Sequence, residues 1–182
     1  MDNTTIISIL IGVAILGIAV FFYLKKRRSE GLRSKFGPEY YRALEESGGR
    51  SHAEAALEER KSRVEQLQIR PLTREDSARF TDSWNKVQAR FVDDPDEAVT
   101  EADKLLGEVM STRGYPVSDF KQLTADISVD HPRVVENYRT AHEIELRHAQ
   151  GQANTEDLRQ AMIHYRTLFM DLVGEPEIRK AA

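Results

Sequence analysis

Cysteine is absent from the 182 residues, which excludes a disulfide framework, a thiolate nucleophile, a cysteine-type zinc site and an iron–sulfur cluster. Strand-like alternation is missing throughout, as are internal repeats and low-complexity tracts. So are a glycine-rich phosphate loop, a G-x-S-x-G elbow and an H-E-x-x-H helix, so the recognisable phosphoryl-transfer, serine-hydrolase and zincin chemistries have no carrier here. The mean hydropathy is −0.52 and 31% of residues are charged, although the first 24 residues are almost wholly apolar. At about 100–200 residues per domain, the length allows one domain plus an appendage.

The appendage is the run Ile6–Leu24, 19 residues without a charge. As a helix it extends roughly 28 Å, close to the ~30 Å of a bilayer's hydrocarbon core. It is apolar on every side, and Tyr23 stands where an interfacial aromatic belongs. No basic residue precedes the run and no small-x-small cleavage site ends it, so an uncleaved anchor is expected rather than a signal peptide. Lys25, Lys26, Arg27, Arg28, Arg33 and Lys35 follow it, against Asp2 alone on the other side. The positive-inside rule then predicts a single-pass protein of the inner (cytoplasmic) membrane, with its amino terminus outside and the rest in the cytoplasm. Ser8, Gly12 and Ala19 share one small-residue stripe of the span, through which two copies could associate.

Charge divides the chain in the same place. Residues 25–35 hold six Lys/Arg against one Glu, residues 1–24 hold Asp2 alone, and the total of −4 leaves −8 on residues 36–182. The basic collar suits anionic headgroups, and the lipid bilayer is the first partner expected. The acidic remainder argues against nucleic acid, whose binding rests on neutralised phosphates.

Beyond a short linker at 29–37, helix signals recur. Pro38 opens one segment, ending at Ser47-Gly48-Gly49; Ser51 and Glu54 read as a capping box opening another, which runs to about Gln68. From Thr73, Phe80, Trp84, Val87 and Phe91 fall at helical spacing. Asp94-Pro95 starts a helix with Val99, Ala102, Leu106, Val109 and Met110 on its buried face, and Gly114 stops it. A short segment follows Ser118, a long one runs from Asp130-His131-Pro132 to Gly151, and the last is capped by Thr155 and stops at Gly174. The expected architecture is all-α: an anchor with collar (1–28), a linker (29–37), a charged helical arm (38–70), a bundle core (71–174) and a tail (175–182).

Chemistry reduces to five histidines and some acids. On the helix after Pro132, Tyr138, His142 and Glu145 fall within about 60° of one another on the apolar side. Glu145 and His148 have the i,i+3 spacing found in carboxylate-bridged di-iron bundles, but a second Glu-x-x-His is lacking. The main reading of Tyr138, His142, Glu145 and His148 is a hydrogen-bonded structural network, with small-ligand or metal binding as the alternative. No catalytic residue and no cofactor is assigned. Asp93 to Glu97 lacks the glycine and terminal glutamate of a calcium loop and reads as a helix cap.

The stretches Lys35–Tyr40, Ala89–Pro95, Arg113–Val117, Val129–Arg139 and Thr155–Met162 resemble an uncharacterised bacterial family of small membrane-anchored helical proteins, some labelled putative secreted proteins. The resemblance covers nearly all of the domain after the collar and implies no activity, cofactor or catalytic residue. The functional expectation is a membrane-tethered, non-catalytic interaction or scaffold module with an unidentified protein partner.

Overall fold

The computed structural model describes residues 3–174, and of Asn3–Ile11 and Ala14 the backbone alone. Among the described residues there are eight helices and no strand: α1 (Asn3–Phe36), α2 (Pro38–Ser47), α3 (Arg50–Glu65), α4 (Arg74–Arg90), α5 (Pro95–Arg113), α6 (Phe120–Asp130), α7 (Val135–Ala149) and α8 (Thr155–Val173). The all-α expectation holds, and the segment after Ser118 is a helix of 11 residues. The tail 175–182 lies outside the described residues.

Two compact units divide at Glu58–Glu59, within α3, so the arm expected over 38–70 belongs to both. In the first unit, the stretch 29–37, expected as a linker, is instead helical through Phe36. Ser29, Leu32 and Phe36, at helical spacing on one face of α1, are all buried. Burying that face outweighs the roughly 1 kcal/mol penalty of Gly31. The chain then turns at Gly37 in a left-handed conformation (φ 48°) and Pro38 opens α2.

Among the described residues no helix is long and apolar enough to cross a membrane. The anchor expected over Ile6–Leu24 is therefore unsupported there. The described apolar side chains begin at Gly12, and Lys25–Arg28 cut the stretch off after 13 residues, about 20 Å of helix against ~30 Å of hydrocarbon. Ile6 to Ile11 and Ala14, and Ser8 of the small-residue stripe, lie outside the described side chains. Gly12 and Ala19 of that stripe are exposed.

The second unit holds the larger core. α4 starts where Thr73 accepts from the Asp76 amide at 3.1 Å, and buries Phe80, Trp84 and Val87 as the spacing predicts. Asp94 accepts from the Glu97 amide at 3.1 Å, the cap expected of that acidic run, with Pro95 first in α5. Val99, Ala102, Leu106, Val109 and Met110 are buried as anticipated. α5 stops at Gly114 (φ 101°), where a Cβ would meet the Gln68 carbonyl oxygen at 2.5 Å, so only glycine fits. α8 opens with a capping box of Asn154 and Asp157, one residue earlier than Thr155. Its Leu158, Met162, Tyr165, Phe169 and Leu172 close the core against α4, α5 and α7.

Candidate functional site

Helix α7 buries Val135, Tyr138, Ala141 and Ile144, and carries His142 and Glu145 along the edge of that face. Their side chains are 26% and 24% exposed. Asp103, on α5, comes to the same place. Asp103, His142 and Glu145 each put one donor atom within 4.8 Å of the others'.

The Tyr165 hydroxyl on α8 donates to Glu145 Oε2 at 3.0 Å, and the Tyr138 hydroxyl faces the Asp103 carboxylate. Burial and the two carboxylates raise both tyrosines far above the ordinary phenol range, so each stays a neutral donor. His142 Nδ1 is 3.6 Å from Glu145 Oε2, too far for a hydrogen bond. That nitrogen and Asp103 Oδ1 are both buried without a hydrogen-bond partner among the described residues. Phe120, at the start of α6, stacks on the His142 ring at 3.8 Å and 22°. Burial, then the charge of Asp103, pushes the Glu145 carboxyl up, while Tyr165 and His142 pull it down by less. Asp103 and Tyr138 also line an open cavity of about 620 Å³ with Gly107, Val117 and Leu123.

Of the residues expected together, Tyr138, His142 and Glu145 do converge. His148 does not: its Nε2 lies 3.2 Å from Asp96 at the start of α5. Asp103 and Tyr165 were missed, because nothing in a run of helical acids marks the one whose partner lies some forty residues away. His164 sits at 2.8 Å from Asn137 Oδ1, and His131 at 2.5 Å from Asp171, both as structural partners.

A second feature of this unit is a groove of about 630 Å³ between α4 and α8. Trp84, stacked on Phe169 at 4.7 Å, lies on its wall with Val173, and Met170 stands 56% exposed at its rim. The indole Nε1 is buried and lacks an acceptor among the described residues.

In the first unit Glu54 is a hub rather than the capping residue expected of Ser51-x-x-Glu54. It accepts from Ser29 (2.5 Å), Tyr40 (2.9 Å) and Arg50 (2.8 Å), and Arg50 also reaches Ser29. Burial pushes the Glu54 carboxyl up, but the three hydrogen bonds together outweigh it and hold the group below its ordinary value. The collar is partly engaged: Arg28 pairs with Glu58 at 3.0 Å, Lys26 with Glu30 at 3.9 Å, and Arg33 lies 5.3 Å over the Tyr41 ring. Lys25, Arg27 and Lys35 are exposed.

Compared with protein-family models, with curated proteins and with solved structures, the chain matches none.

Proposed function

We propose that this protein is a single-pass, membrane-tethered helical module whose bundle faces the cytoplasm and acts by holding a protein partner rather than by catalysis. The observation that carries the reading is the state of α1 ahead of the collar. Val13, Ile15, Leu16, Ile18, Val20, Phe21, Phe22 and Leu24 point to every side of the helix and are each 47–65% exposed. Apolar surface left uncovered all round a helix calls for lipid, where a one-sided stripe would call for a core. Joined to Ile6–Ile11 the run is long enough to span, and Lys25, Lys26, Arg27 and Arg28 set the orientation.

The partner's place is the groove between α4 and α8. Its apolar wall and the unmet Trp84 N–H suit a segment that offers side-chain bulk and one carbonyl.

Paired carboxy-terminal reporters, one active only in the cytoplasm and one only beyond the membrane, test the tether and its sense. A cytoplasmic signal with resistance to alkaline carbonate extraction is expected; an external signal overturns the orientation, and extraction overturns the tether. A photo-crosslinking residue at Met170 should give one discrete adduct in cells, and the same residue at Arg159 none. Equal labelling at both positions overturns the groove.

A further inference from the structure

Structural networks pair the great majority of their buried donors and acceptors, because each unpaired one costs about 1–3 kcal/mol. The cluster on α5 and α7 does the opposite. Asp103 Oδ1 and His142 Nδ1 are both buried and unpaired, beside a second carboxylate whose charge opposes the first. Within the cluster the two carboxylates have only the His142 ring, 3.6 Å from Glu145, to set against them, and Asp103 Oδ1 is left without a partner among the described residues.

We infer that Asp103, His142 and Glu145 form a binding site for one divalent first-row transition cation. Three atoms within 4.8 Å of one another leave a point about 2.8 Å from each, and side-chain shifts of under about 1 Å bring them to the ~2.1 Å of metal–nitrogen and metal–oxygen bonds. One imidazole with two carboxylates suits zinc, manganese or ferrous iron. Calcium and magnesium favour all-oxygen sets, and the soft thiolate sites are excluded by composition. Two carboxylates and a neutral imidazole balance a dication.

The supporting contacts are those a metal centre uses. Tyr165 holds Glu145, Tyr138 faces Asp103, and the Phe120 ring fixes the plane of His142. Three protein ligands leave further coordination positions for water or a small ligand, and an open cavity reaches Asp103. This corrects the spacing-based grouping: His148, paired with Asp96, takes no part. The inference does not rest on the membrane tether.

The test uses the full chain in detergent micelles, stripped with chelator, titrated with Zn²⁺ and Mn²⁺ by calorimetry. One ion per chain is expected for at least one of the two. Asp103→Asn and Glu145→Gln should each weaken binding tenfold or more, while His148→Ala leaves it unchanged. Substoichiometric binding of both ions, or binding that survives Asp103→Asn and Glu145→Gln, or binding that His148→Ala abolishes, overturns the site. Helical circular dichroism checks that each variant folds. If His142→Ala fails to fold, Co²⁺ loading of the unmodified protein decides: visible d–d bands displaced by one equivalent of Zn²⁺ support the site, and their absence overturns it.

Discussion

Glu54 and Glu145 are near-twins on paper: glutamates on helices, each accepting a tyrosine hydroxyl, from Tyr40 at 2.9 Å and from Tyr165 at 3.0 Å. Their surroundings send them in opposite directions. Glu54 also receives Ser29 and the Arg50 guanidinium and is held below its ordinary value. Glu145 receives no guanidinium; burial and the facing Asp103 outweigh Tyr165 and His142 and hold it above. The first is a finished polar joint, and the second is an unfinished one. A carboxylate with its charge answered inside the chain is a structural element, whereas one opposed by a second carboxylate has its charge answered from outside.

The comparison extends to what each unit depends on. The second unit is built on apolar packing, so Phe169→Ala, which empties the ring stacked on Trp84, should cost roughly 3–5 kcal/mol. Hydrogen exchange of α8 amides reads this directly, and a loss below about 1 kcal/mol would break the contrast. Glu54→Ala removes the acceptor shared by Ser29, Tyr40 and Arg50 and should destabilise the first unit by about 1–3 kcal/mol, seen as faster exchange in α2.

Acidity sharpens the pair with a smaller effect of opposite sign. Folding holds the Glu145 proton to higher pH than the unfolded chain does, so the group costs nothing well below 4.5 and penalises the fold as pH rises through its raised value. In chelator, Glu145→Gln should therefore stabilise the second unit at pH 7 and lose that advantage by about pH 4. Glu54 contributes stability above 4.5 that disappears as pH falls through its lowered value. Glu54→Gln should accordingly be destabilising at pH 7 and nearly neutral at the acid end, as thermal melts across pH would record. The smallest effect belongs to Lys61→Ala: its 3.9 Å pair with Glu65 is on the surface and is worth no more than about 0.5 kcal/mol by denaturant midpoint.

Local signals were legible and distant ones were not. Phe80, Trp84 and Val87, the Asp94-Pro95 start and the Gly114 stop could be read because periodicity and caps act within one or two turns. The grouping of Tyr138, His142 and Glu145 was visible for the same reason, since one helix carries all three. Asp103, Tyr165 and the hub role of Glu54 depend on tertiary neighbours that no spacing encodes. Residues 29–37 misled in the other direction. A short polar stretch containing Gly31 reads as a linker, while Leu32 and Phe36, read as a burial pattern, extend the helix.

That extension gives α1 a mechanical character. Thirty-four residues without a break make a rod of about 51 Å, running from the apolar stretch through the collar to Phe36. A glycine–serine tether would dissipate motion within a few residues. This rod instead runs unbroken from its apolar half to Ser29 and the Glu54 joint. One residue inserted between Ser29 and Leu32, about 100° of twist, should pull Ser29 off Glu54 while leaving composition almost untouched. The helix therefore has the build of a torque shaft, in which angular register matters as much as length.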